Sequence, residues 1–222
     1  MPRMSACLGL AIVMLACCAM LSLAQAIFKP AEVTSAPDIP YPIQSIADGV
    51  VVIDISLDAT GAIIGTNVVR DVPSLTSAAT SSIPSWKFSP ALFHGRPVPS
   101  VIRIAVVFRP RSYLAAGPAF TPVPSQDPPD LTRLGDALPG ITSAAYPQYP
   151  VNAVNPGTVT IQVTVGRTGN IQRTKLVREV PPFSQFALNA LNLWRFQPAT
   201  LDGKPVPSPL AIAFVFPPLT SP

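Results

Sequence analysis

Histidine and cysteine are nearly missing from this chain of 222 residues. There is one histidine, His94, and the three cysteines, Cys7, Cys17 and Cys18, all fall within the first twenty positions. A histidine–cysteine metal centre or a thiol nucleophile in the body of the chain is therefore excluded. Charge is scarce as well: Asp, Glu, Lys and Arg together make up 12%, about half the usual share. The formal charge of +4 is not gathered into any Lys/Arg run, so the basic stripe of a nucleic-acid-binding protein is absent. No Ser/His/Asp set, Cys-x-x-Cys pair or phosphate-cradling glycine loop occurs, which argues against an enzyme and against a cofactor. What is present is apolar residues at 48% and 29 prolines, where ordinary usage gives about 11. The first is ample for a core. The second cannot sit inside helices or central strands and must mark turns, linkers and element ends.

The N-terminus reads as an export signal. Arg3 supplies a positive charge, Ala6 to Leu23 carry none, and Ala24-Gln25-Ala26 is an A-x-A cleavage site. Cleavage there gives a periplasmic chain that starts at Ile27 and contains no cysteine. Two alternatives stay open: an uncleaved inner-membrane anchor, since the apolar run is long enough to span, and lipidation at Cys17 or Cys18.

The remainder is one unit written twice. Tyr41-Pro42 recurs as Tyr149-Pro150, an offset of 108 residues, and the same offset aligns Trp86-Lys87-Phe88-Ser89-Pro90-Ala91 with Trp194-Arg195-Phe196-Gln197-Pro198-Ala199. It also pairs Gly95-Arg96-Pro97-Val98-Pro99-Ser100 with Gly203-Lys204-Pro205-Val206-Pro207-Ser208. About 28 of 70 positions are identical without a gap from Tyr41 to Pro110. The expected organisation is a signal at 1–26, a short linker at 27–40, a first domain at 41–110, a proline-rich linker at 111–145 and a second domain at 146–218.

Each copy can be read against the other. Val51, Ile53, Ile55 and Leu57, and Val159, Ile161, Val163 and Val165, alternate with other residues, which predicts a strand with one buried face. Asp58-Ala59-Thr60-Gly61 and Gly166-Arg167-Thr168-Gly169 predict hairpin turns into a second strand. Phe183, Phe186, Ala187, Ala190, Leu191 and Trp194 form a helical stripe. The first copy keeps Leu75, Ala78, Ala79, Ile83 and Trp86 on that stripe but inserts Pro84, so its helix is expected to be shorter or kinked. A third strand carries Ile102, Ile104, Val106 and Phe108, or Leu210, Ile212, Phe214 and Phe216. The fold class is α+β: two tandem β-β-α-β domains, each a three-stranded antiparallel sheet in the order 2-1-3 with one helix. That order leaves strand three as an edge, with uncharged Ala211, Ala213 and Val215 facing outward, open to pairing with another chain. The linker, the other copy or an added strand could equally cover it.

Tyr-Pro before strand one, a Gly-x-Val strand start, and Trp-(Arg/Lys)-Phe-x-Pro-Ala followed by Gly-(Lys/Arg)-Pro-Val resemble the TonB C-terminal domain family over 41–110 and 149–218. The resemblance implies a non-enzymatic periplasmic module. Its expected partner is an envelope protein, such as a TonB-dependent outer-membrane transporter, whose peptide segment is added as a strand at the sheet edge. It places Gln148, Tyr149 and Pro150 beside that peptide and offers Leu210, Ala211, Ile212, Ala213, Phe214 and Val215 as the receiving strand. In the first copy Pro40 stands where the glutamine would be. The membrane-segment histidine and long spacer that TonB uses for energy coupling have no counterpart in 1–40, so the match is to the binding end. The alternative is a structural envelope protein whose two copies pair with each other, or self-associate through strand edges, and bind no peptide.

Other candidates fare less well. His94 meets Asp202 in the second copy, as a turn residue would. Asp54 and Asp58 share a strand face but become Gln162 and Gly166, so a catalytic carboxylate pair is not expected. Trp86, Phe88, Trp194 and Phe196 are assigned to the core, where the helix docks on the sheet. Arg70 and Arg178 match between copies and fit a solvated strand end or a peptide carboxylate alike.

Overall fold

The computed structural model describes residues 28–42, 44–45, 47–109, 118–120, 137–150, 153 and 155–218. The export segment and most of the proline-rich stretch lie outside them. In each repeat a long alternating apolar run forms the first strand: β3 (Gly49–Leu57) and β11 (Gly157–Val165). A hairpin leads to β4 (Ile63–Arg70) and β12 (Ile171–Arg178). Helix α1 (Thr76–Ser82) stops short and finishes as a 3-10 turn through Pro84, whose missing N–H cannot continue the ladder. Its counterpart α2 (Phe183–Leu191) has no proline and runs on. The third strands are β8 (Ser100–Phe108) and β16 (Ser208–Phe216), each paired antiparallel along its whole length with its own first strand. Short strands β1 (Phe28–Lys29), β6 (Ala91–Phe93), β7 (Arg96–Val98), β9 (Pro118–Phe120), β14 (Ala199–Leu201) and β15 (Lys204–Val206) lie outside the main sheet.

The order 2-1-3 is therefore present in both halves, but not as two separate sheets. β16 pairs in parallel with β8, from Leu210 opposite Arg103 to Val215 opposite Phe108. One mixed sheet of six strands results, in the order β12-β11-β16-β8-β3-β4. This corrects the expectation of independent three-stranded sheets. An uncharged third strand leaves a row of unpaired amides, and the other repeat's third strand satisfies them.

The period-two reading also needs correction. Val51, Ile53 and Ile55 face α1, while Val50 and Val52 join the core that contains α2, so the helices lie on opposite faces. Parallel pairing with helices on opposite faces is what a two-fold axis along the strands generates. Each repeat's helix covers one face of its own three strands and leaves the other face bare. That face is closed by the opposite repeat. Residues 31–39, containing β2 (Glu32–Ser35), lie over Ala211, Ala213 and Val215. Residues 140–149, containing β10 (Gly140–Ala145), lie over Val50, Val52, Ala105 and Val107. Each of these straps also pairs antiparallel with its own repeat, β2 with β5 (Lys87–Ser89) and β10 with β13 (Arg195–Gln197), at equivalent residues. The stretches expected as linkers at 27–40 and 111–145 thus hold part of the core: Val33, Ile39, Ile141 and Ala144 are all buried.

Candidate functional site

The strand offered to a partner lies in the middle of the sheet. Leu210 to Val215 have β11 on one side and β8 on the other, and all six residues are buried. Ala211, Ala213 and Val215 face a strap instead of solvent, and the two small alanines leave room for its backbone. Beside them Tyr149 is a core residue. Its hydroxyl donates to the Pro217 carbonyl at 3.0 Å, its ring meets Phe183 and Phe216 edge-on, and the Arg109 guanidinium stacks over it at 5.2 Å. Pro150 is buried next to it, and Gln148 alone of that trio is exposed. The structure therefore brings Tyr149 and the end of β16 together, but inside the seam between repeats.

The aromatic residues after each helix dock it onto the sheet. Trp86 and Trp194 are both buried. The indole of Trp194 donates to the Ala145 carbonyl of the strap, and that of Trp86 to Ser82 Oγ. Phe196 is buried and Phe88 partly so. His94 sits with positive φ at the tip of a hairpin, as does Asp202 in the second repeat, and its ring packs edge-on against Phe93. Among the described residues no His/Cys/Asp/Glu group could hold a metal ion.

The carboxylates separate into structural roles. Asp58 Oδ1 accepts from the Thr60 hydroxyl and from the Thr60 and Ala62 amides, and those bonds, the hydroxyl first, hold its carboxyl below the usual range. Asp54 is buried beneath the second strap in a two-pronged pair with Arg103, at 2.7 and 2.8 Å. A third Arg103 nitrogen donates to the Pro139 carbonyl, which ties the first repeat's sheet to the second repeat's strap. The equivalent positions, Gln162 and Ala211, solve the same problem without charge: Gln162 Oε1 accepts the Val33 amide of the first strap at 2.7 Å. Sequence reasoning did not find this pair, although Arg103 is the only charge in an otherwise apolar strand.

Arg70 and Arg178 belong to the strap contacts too. Arg178 donates to the Thr158 carbonyl and lies 3.8 Å from Asp38 of the first strap. Burial lowers the Arg70 pKa, and Tyr146, the residue equivalent to Asp38, partly offsets that. Tyr146 itself donates to Asp48, and burial is the main reason that its phenol is pushed well above the usual value.

What remains open is the outside. β4 and β12 end the sheet, each with no strand neighbour on its outer side among the described residues. Beside each edge, between hairpin turn, helix end and the aromatic segment, runs a cleft. The first, of about 640 Å³, is lined by Ile63, Ile83, Pro84, Trp86, Lys87 and Phe88. The second, of about 400 Å³, is lined by the equivalent Ile171, Leu191, Asn192, Trp194, Arg195 and Phe196.

A comparison with known protein families matches the C-terminal region of the Gram-negative bacterial TonB protein twice, over residues 39–110 and 142–217. The chain belongs to the TonB C-terminal domain family. Two tandem copies are present, and the matched segments reach into both straps. A comparison with curated proteins found no match. TonB C-terminal domains are non-enzymatic and periplasmic, and they act in TonB-like energy transduction with outer-membrane transporters. Among the described residues no helix is long and apolar enough to cross a membrane.

Proposed function

We propose that this protein is an exported TonB-like module of the cell envelope that receives an extended segment of an outer-membrane transporter, or of another envelope protein, by strand addition. The observation that carries the reading is the six-stranded sheet itself. Two family repeats stabilise each other through their third strands and leave two outer edges, each beside a cleft of mixed polar and apolar lining. Main-chain bonds along an edge supply affinity, and side chains entering a cleft supply selectivity. Addition along Leu210–Val215, with Gln148 and Tyr149 choosing the sequence, would require β8 to leave its place.

A second reading is favoured by that same pairing: a structural envelope protein whose repeats are each other's partners and which binds no peptide. Titrating TonB-box peptides from transporters of the host onto the exported chain (residues 27–222) separates the two. Saturable binding supports the first reading. No binding by any of these peptides, together with no transporter captured from envelope extract by the immobilised chain, supports the second.

A further inference from the structure

We infer that the two outer edges are not equivalent, and that the β12 edge takes an extended segment in which acidic and apolar residues alternate. The inference rests on the strand-addition reading above and says where addition occurs and what it selects. Its basis is a difference in charge between equivalent places. Arg167, Arg173, Lys175, Arg178 and Arg195 line the β12 edge and its hairpin, whereas the β4 side has Ala59, Gly65, Asn67, Arg70 and Lys87 at those positions. Five cations thus stand on the β12 side where the β4 side has two.

The pairing with β11 assigns the β12 side chains to faces. Ile171, Thr174 and Leu176 lie opposite Val165, Val163 and Ile161, on the α2 side. Arg173, Lys175 and Arg178 lie opposite Thr164, Gln162 and Thr160, on the side of the first strap. Among the acidic groups facing them, Glu32 pairs with Lys175 at 3.1 Å and Asp38 approaches Arg178 at 3.8 Å. Arg173 is exposed and has no ion pair among the described residues. A strand added outside β12 continues both faces. Its side chains on one face meet the exposed Leu176 and the cleft formed by Ile171, Leu191 and Trp194, with Asn192 and Arg195 also lining it. On the other they meet Arg173. Alternating apolar and acidic residues satisfy both.

Edge lysines and arginines also serve to keep an edge from pairing at all, so the test must separate capture from protection. The probe is a capped nine-residue peptide of alternating Glu and Val, titrated onto the exported chain. Its controls are a Lys/Val peptide and a Glu/Val peptide with alternate amides N-methylated. The expected result is saturable binding of the Glu/Val peptide alone, weakened about tenfold or more by Arg173→Glu and unchanged by Gly65→Glu at the equivalent place on β4. Equal binding of the Lys/Val peptide, or no effect of Arg173→Glu in a protein with unchanged circular dichroism, overturns the inference. TonB-box peptides that still bind Arg173→Glu at full affinity leave the functional reading standing and sink only the β12 site. Failure of every peptide sinks both and identifies the charges as edge protection.

Discussion

At the scale of single residues, the Asp54–Arg103 pair separates what a buried charge contributes from what it costs to break. Both groups are desolvated, and their mutual attraction largely offsets that penalty. Arg103→Leu removes the counter-charge that pairs Asp54 under the strap and is expected to cost about 3–5 kcal/mol in urea unfolding. The double variant Asp54→Leu/Arg103→Leu should recover most of that loss; failure to recover it would mean that the pair itself is a net source of stability. Trp194→Ala removes a buried indole and its bond to the Ala145 carbonyl, with an expected loss of about 3–5 kcal/mol. An indole that is readily quenched in solution would contradict that placement. Gly169 has φ of +80°, and a Cβ there would lie 2.3 Å from the Phe196 carbonyl oxygen. Gly169→Ala is therefore expected to cost more than the roughly 1–3 kcal/mol of a left-handed residue alone, while Gly203→Ala, with open space around it, should cost only the backbone term.

At the scale of elements, the straps are the part that sequence reading passed over. The repeat is plain from Tyr41 onward, but Val33-Thr34-Ser35-Ala36 also recurs as Ile141-Thr142-Ser143-Ala144 at the same offset. That signal was present but short, and the surrounding prolines read as linker. Strands one to three, the hairpin turns and the helix with its early stop at Pro84 were legible, because each rests on local periodicity and backbone chemistry. The second buried face was not, since the groups that cover it come from the other repeat. The run Val50–Ile53 pointed to it: four consecutive apolar residues suit a strand buried on both sides better than one with a wet face. Strand three was expected to be an edge for the same reason, for no local pattern says which of several strands fills an open edge, and β8 fills this one. Val33 and Ile141 occupy equivalent buried positions under opposite faces. Val33→Asp and Ile141→Asp are accordingly each expected to cost more than about 4 kcal/mol, measured by chemical denaturation. A large effect of one and none of the other would contradict the paired-strap architecture.

At the scale of the whole molecule, neither repeat has a complete core of its own. Each borrows a strap across one face and a strand along one edge, so the two halves should melt as one cooperative unit in calorimetry and not as two domains on a linker. The same closure leaves unpaired edge backbone only at the rim of the sheet among the described residues, beside the two clefts. The most direct test of this account is amide hydrogen exchange, resolved by NMR, over β8 and β16. Strands paired on both sides protect every amide, whereas an edge strand exposes alternate ones to water. The account predicts uniformly slow exchange from Ile104 to Phe108 and from Leu210 to Val215, matching β3 and β11, with alternating fast and slow amides confined to β4 and β12. Alternating exchange along Leu210–Val215 would contradict it and return that strand to the surface as an open edge.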